Sequence, residues 1–268
     1  LMRRVDGFVA STEYLATALT THFGIPAYVN ANALSQRALA LLDGGEQAGL
    51  FNTALDLRAV AVFTLATAHE WRGDVPAAAR AFAEAADLAR QVGNPHIAPM
   101  ALGYLARLQR LQGRLYQSYE TYQAALQLVR DMAGAPSPMV GLACVGLGDL
   151  LREWNDLEGA AQHVGQGIDL ARRWAHAEAL VSGHVVLARL CHARHDAAGT
   201  RQALAELARL VESGQVVPGL LPQVHACRVQ LWLAEGQCQA AAHWREQSGL
   251  GIDGVPDYLH EPAHIALA

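Results

Sequence analysis

GLACVGLGDLLREWNDLEGAAQHVGQGIDL, running from Gly141 to Leu170, decides the fold. Apolar residues recur at three- and four-residue spacing on both sides of the turn dipeptide Asn155-Asp156. That period belongs to helices rather than strands. Seven residues before Asn155 stands Gly148; five, nine and twelve residues after it stand Ala160, Val164 and Gly167. Small residues on either side of the turn let two antiparallel helices approach closely, and the larger residue between them fills the space beside the contact.

Working outward, the same arrangement recurs. Turn dipeptides stand at Gly73-Asp74, Gly113-Arg114, Asn155-Asp156, His195-Asp196 and Gly236-Gln237, at successive spacings of 40, 42, 40 and 41 residues. Seven before each turn residue are Ala66, Ala106, Gly148, Ala188 and Val229; five after are Ala78, Ser118, Ala160, Thr200 and Ala241. Nine after come Phe82, Tyr122, Val164, Leu204 and Arg245, and twelve after come Ala85, Ala125, Gly167, Leu207 and Ser248. Eight before, Leu65, Leu105, Leu147 and Leu187 are followed by Arg228. The fifth hairpin keeps the turn and loses the sizes, so it is read as degenerate. Asp74, Asp156 and Asp196 are placed to cap the second helix of their hairpins, and Asn155 with Glu158 has capping-box spacing. Pro76 suits a first turn, and the prolines at 95, 136, 138, 218 and 256 mark breaks between hairpins.

A fixed period of this length predicts an all-α, tetratricopeptide-like helical-hairpin solenoid, a right-handed superhelix. We read residues 1–268 as one helical-repeat domain. Residues 1–56 carry a weaker helix pair (8–22 and about 27–42, then a loop at 43–46), and 57–268 carry about five hairpins of 40–42 residues plus the start of another. The chain starts at Leu1 and ends at Ala268 in mid-pattern, so a fragment of a longer protein is expected.

Composition excludes several chemistries. All 20 basic residues are arginine, so no phosphate-loop lysine, Schiff-base lysine or lysine general base exists. Net charge is −5, which gives no overall bias toward nucleic acid. Cys144, Cys191, Cys227 and Cys238 form no C-x-x-C pair, and a reducing cytoplasmic setting suits them. No apolar run reaches membrane-spanning length, so no membrane contact is expected.

Three motifs invite chemistry. His260-Glu261-Pro262-Ala263-His264 matches H-E-x-x-H, but it lies where a repeat helix begins, and Pro262 suits a first turn; catalytic zinc is not expected. Cys191, His192 and His195, with His184 nearby, resemble a metal cluster, yet His195 occupies the turn position and His184 and Cys191 fall on the packing stripe. Gly141, Gly146 and Gly148 lie inside a helical pattern and follow no strand, so packing explains them better than a phosphate cradle. Trp154 and Trp174 are read as covers of hairpin junctions, and Trp71 as able to face a groove.

The block from Gly141 to Leu170 resembles the sensor region of MalT-like regulators, the large ATP-binding members of the LuxR-type transcription factors, and LARLQRLQG, Leu105 to Gly113, resembles the repeat before it. The resemblance extends from about residue 57 to the C-terminus, and weakly before that. It implies a parent protein with a separate ATP-binding switch module, this superhelical sensor and a C-terminal helix-turn-helix. No cofactor is then expected within this fragment; ATP belongs to another domain. The resemblance also implies an ordinary repeat helix at the H-E-x-x-H segment.

In such superhelices the first helix of each hairpin lines the concave side. Residues six, three and two before the turn then face the groove. The candidate binding set is Glu70, Trp71, Arg107, Arg110, Asp149, Arg152, Glu153, Arg189 and His192. Forked donors and acceptors in three adjacent hairpins suit a hydroxyl-rich or anionic ligand or a peptide; internal salt bridges would use the same residues. The expected function is a non-catalytic sensor domain that binds a small inducer or a regulatory protein. It would touch no nucleic acid itself, and the parent would self-associate when activated. The alternative is a protein- or peptide-binding tetratricopeptide scaffold unconnected with transcription.

Overall fold

The computed structural model describes residues 54–94, 96–131, 140–173, 176–214, 216, 218–248 and 265. The helix pair expected before residue 57, the loop at 43–46, Trp174, the H-E-x-x-H segment and the prolines at 95, 136, 138 and 256 lie outside the described residues, apart from the first turn of the helix that begins at Ala54. Ten α-helices are described, with no strand among the described residues. They are α1 (Ala54–Trp71), α2 (Val75–Gln91), α3 (Ile97–Leu111), α4 (Leu115–Asp131), α5 (Gly141–Glu153), α6 (Leu157–Arg173), α7 (Ala177–Ala193), α8 (Ala197–Glu212), α9 (Leu221–Ala234) and α10 (Cys238–Ser248). A short 3-10 turn, Pro218–Leu220, precedes α9. The pairs α1/α2, α3/α4, α5/α6, α7/α8 and α9/α10 are the five hairpins.

The turns are built alike. Gly73, Gly113, Asn155, His195 and Gly236 all take left-handed backbone, with φ of 76°, 74°, 62°, 59° and 73°. At each, the turn N–H donates to the carbonyl three residues back and the next N–H donates to the carbonyl five residues before itself, as in Gly73 to Glu70 (2.8 Å) and Asp74 to His69 (2.9 Å). These two bonds satisfy the last carbonyls of the first helix, which is the Schellman arrangement. The second helix is then capped by the expected aspartates. Asp74, Asp156 and Asp196 accept from the N–H groups of Ala77, Gly159 and Gly199 at 3.1, 3.0 and 2.9 Å. The capping box read from Asn155 and Glu158 does not form. Asn155 is the left-handed residue, Asp156 does the capping, and Glu158 binds Arg194 at 2.9 Å.

The seams follow the repeat. The small residues on both sides of every turn are buried, from Ala66 and Ala78 in the first hairpin to Val229 and Ala241 in the fifth. Ser118 donates from its hydroxyl to the Ala106 carbonyl across the seam at 2.7 Å, which satisfies a polar group at full burial. At Gly148 an added Cβ would lie 2.5 Å from Val164 Cγ2 and 3.0 Å from the Ala160 carbonyl oxygen. At Gly167 it would lie 2.7 Å from Val145 Cγ2 and 2.8 Å from the Gly141 carbonyl oxygen. Glycine there is a requirement of helix approach. Phe82, Tyr122 and Val164, nine after the turn, are fully buried beside these contacts, each worth about 1.5–3 kcal/mol of burial.

Consecutive first helices touch each other, whereas the second helices pack mainly against the first helices on either side. The array therefore curves with α1, α3, α5, α7 and α9 on its inner side. The fifth hairpin departs as its sequence foretold. Its two helices pack together far less than those of the other pairs, and α8 barely meets α9. Arg245 is exposed, Ser248 is half-buried, and Arg228 lies over the Trp232 ring at 5.0 Å instead of filling the leucine position. Its apolar contacts form a separate small cluster of Ala226, Val229 and Ala241 with Trp232 and Trp244.

Candidate functional site

The inner face of the first helices carries an ionic ladder. Its register follows from two rungs. Glu70, three before its turn, pairs with Arg107, six before the next turn. Arg110, three before that turn, lies 3.2 Å from Asp149, six before the following one. The stagger between neighbouring first helices thus sets position minus three of one hairpin against position minus six of the next.

The second rung is a network. Arg110 also donates to Glu153 at 2.8 Å, and Arg152 donates to Asp149 from Nε at 2.9 Å and Nη2 at 2.8 Å. Glu70 and Asp149 were placed by sequence on an exposed face, and both are only 3% exposed. Arginines close over both, because a paired carboxylate can leave water where a lone one cannot. Burial pushes the Asp149 carboxyl up, but Arg110, Arg152 and Arg189 outweigh it and hold it below its ordinary range. Burial likewise pulls Arg110 down, and Asp149, Tyr122 and Glu153 raise it overall. Beneath the network the Tyr122 hydroxyl, fully buried and hydrogen-bonded to Arg110, is pushed up to about 12, chiefly by burial. Gly146 makes room for it: an added Cβ would lie 2.2 Å from that oxygen.

The third rung sets Arg152 against Arg189 at the same register. Arg152 turns back to its own helix, to Asp149 and Glu153. Arg189 turns forward and donates to the Gln230 side-chain carbonyl at 3.1 Å. The fourth rung, His192 with Gln230, carries no carboxylate.

The hydrogen bond made by Tyr104 was not legible in the sequence. Tyr104 donates to Glu178 at 2.6 Å, joining the second hairpin to the fourth across α5. The Tyr104 ring stacks on Phe82 at 5.1 Å, and Arg107 lies over it at 5.2 Å. At the turn edge, Trp154 meets Tyr116 and Tyr119 at 5.4 and 5.5 Å and so covers the junction of the second and third hairpins, while remaining 37% exposed. Trp71 and Leu111, each two before its turn, are exposed at the rim of the inner face.

The remaining candidates fall elsewhere. His184 is buried in the packing stripe, His195 sits exposed in its turn and Cys191 is half-buried. Among the described residues no group of three or more His, Cys, Asp or Glu side chains converges as a metal site. Burial pushes the Cys144 thiol up to about 12, against the pull of Arg130, so it packs as a hydrophobe. Among the described residues no helix is long and apolar enough to cross a membrane.

Curved, repeated hairpins with an inner ionic ladder define a tetratricopeptide-type helical array. The family model for the MalT-like TPR region matches residues 27–268. The chain belongs to that family. Among solved structures it is similar to BtubC (BKLC) from P. vanneervenii, with a TM-score of 0.60 and 17% identity over 86% of this chain and 94% of that one. It is also similar to the nearly identical TPR-like repeats of a putative kinesin light chain from Podospora anserina, with a TM-score of 0.48 and 13% identity over 79% of this chain and 99% of that one. No curated protein matches the chain.

Proposed function

We propose that this array is the effector-sensing domain of a MalT-like transcriptional regulator. It binds a small inducer or a regulatory protein along the inner face of its first helices and does no chemistry itself. ATP binding and DNA reading belong to other domains of the parent, and the cytoplasm is its compartment. The observation that carries this reading is membership of the MalT-like TPR family over residues 27–268. The ladder supports it: Arg107, Arg110, Arg152 and Arg189 project from adjacent inner helices, half-buried and fixed by partners, so their forks are oriented before a ligand arrives. An effector that binds one state of the parent more tightly than another shifts it toward self-association.

Calorimetric titration of the chain against a metabolite library tests the proposal. A saturable binder that Arg110→Gln and Arg152→Gln weaken supports it. A folded chain that binds neither a metabolite nor a candidate regulatory protein overturns it.

The exposed rim residues Trp71 and Leu111 favour one other reading, a peptide-binding scaffold. Neighbouring helix axes lie about 8–10 Å apart, so the inner row from α1 to α7 spans roughly 25–30 Å. That is the length of about eight extended residues and exceeds a small metabolite. A small effector would touch two or three adjacent hairpins, whereas a peptide would need Trp71 and Arg189 together. Loss of binding in both Trp71→Ala and Arg189→Gln identifies the peptide.

A further inference from the structure

The ladder alternates in charge until one rung. Glu70 faces Arg107 and Arg110 faces Asp149, each an acid against a base. The same register then opposes Arg152 to Arg189, two guanidiniums with no carboxylate of their own between them. Arg152 is drawn back to Asp149 at 2.8 Å, and Arg189 is drawn away to a neutral amide, Gln230, at 3.1 Å. Both remain close enough to Asp149 to hold its carboxyl below the ordinary range. Glu70 balances Arg107, and Asp149 with Glu153 balances Arg110 and Arg152. Arg189 is left as the one charge of this row that no carboxylate in the row matches. A like-charged rung costs stability unless something neutralises it, and a planar guanidinium fork matches the oxygens of a carboxylate or a phosphate.

From this juxtaposition we infer that the Arg152–Arg189 rung, between the third and fourth hairpins, is the docking point for an anionic group of the effector, a carboxylate or a phosphate. This rests on the sensing role proposed above and names the ligand class of that same face. The anion takes the place that Asp149 takes one rung earlier. Arg189 gives up Gln230 or shares it, and His192, one helical turn farther on, borders the site. The ligand is thereby confined to two adjacent hairpins, the reach of a small molecule.

The test uses the whole chain with two probes, inorganic phosphate and succinate. Each is titrated calorimetrically at low millimolar concentration against a sodium chloride background of constant ionic strength, where general salt exclusion is small. At least one probe is expected to bind saturably, and Arg152→Gln and Arg189→Gln each to weaken it by about tenfold or more. The preferred probe separates a phosphate ester from a carboxylate as the natural ligand chemistry. Arg189→Glu supplies the missing carboxylate from within. It is expected to raise the Tm by roughly 1–3 °C and to abolish binding of both probes. Absence of saturable binding by wild-type chain overturns the inference. So does binding that survives both glutamine substitutions, or a Tm that falls in Arg189→Glu. A neutral metabolite that binds the inner face while neither anion does would sink the anionic rung and leave the sensing role standing. An anion that binds in a parent whose transcriptional output ignores it would do the reverse.

Discussion

The third and fifth hairpins share a turn and differ in nearly everything it joins. Asn155 and Gly236 take the same left-handed conformation and make the same pair of backbone bonds. In the third hairpin Gly148, Ala160, Val164 and Gly167 let α5 and α6 pack more extensively than any other pair. In the fifth, Val229 stands where Gly148 does, and Arg245 and Ser248 replace Val164 and Gly167; α9 and α10 pack together far less. The turn thus sets the direction of return, and the seam sets how close the helices come. A Schellman turn is local and survives the loss of its seam, whereas close approach needs small residues at every crossing point.

The sharpest way to break the comparison is to move the fifth hairpin's residue into the third. In Gly148→Val the new Cβ would start 2.5 Å from Val164 and face backbone at Ala160. Better helix propensity recovers about 0.5 kcal/mol, but forcing the helices apart costs about 3 kcal/mol or more. Chemical denaturation should show a lower midpoint with the turn bonds retained. An unchanged midpoint would mean that glycine at this seam is incidental.

The next test concerns the ladder, which the third hairpin joins through Asp149 and the fifth only through an amide. Asp149→Asn removes the buried carboxylate that Arg110 and Arg152 share and leaves them Glu153. A loss of about 2–3 kcal/mol is expected, at the low end for a broken buried pair because both arginines are partly exposed. Because the folded carboxyl is held low, its stabilisation is present in full above the unfolded carboxylate range and is lost as pH falls through the folded value. Wild type should therefore lose stability on acidification more steeply than Asp149→Asn, and parallel acid profiles would remove Asp149 from the account.

These two tests mark what the sequence could and could not show. The turns were legible because left-handed backbone admits few residue types, and Gly73, Gly113, Asn155 and Gly236 are among them. The seams were legible because approach distance is written in side-chain size. The ladder's residues were legible as a set, but their pairing was not. The stagger that sets Arg110 against Asp149, and Arg152 against Arg189, arises from how hairpins dock on each other, which no within-hairpin offset records. The burial of Glu70 and Asp149 was missed for the same reason, since a carboxylate reads as exposed until its cover is known. The Tyr104–Glu178 bond skips a repeat, which nearest-neighbour reasoning about arrays does not anticipate.

A smaller effect distinguishes the first helices of the array by pH. Eleven residues before the turn, the first three hairpins carry Val62, Leu102 and Cys144, whereas the fourth and fifth carry His184 and His225. Each of these histidines has a buried Nδ1 with no hydrogen-bond partner. Burial holds both below the ordinary value; Glu206 opposes this at His184, while Arg172 and Arg209 add to it, and Arg228 adds to it at His225. The sign is therefore loss of stability as pH falls from the unfolded histidine range toward the folded values. Hydrogen exchange at pH 5.5 against pH 7.5, corrected for intrinsic rates, should show α7 and α9 losing protection before α3 and α5. His184→Leu should flatten the response of α7, and uniform loss along the chain would refute the assignment.

The smallest effect lies in the turns themselves. His195 and Asn155 are the two non-glycine residues in left-handed backbone among the described residues, at φ of 59° and 62°. Asparagine tolerates that region through local hydrogen bonding, and histidine tolerates it less well. Glycine at either site removes the strain and adds the entropy cost of a freer unfolded chain. For His195→Gly the strain term wins and stability should rise by about 0.5–1 kcal/mol. For Asn155→Gly the two terms nearly cancel, and a change within about 0.3 kcal/mol is expected. The pair of denaturation midpoints checks both at once. Equal gains at the two sites would show that turn strain is set by backbone alone, and a loss at His195 would show that its exposed ring makes a contact worth more than the strain.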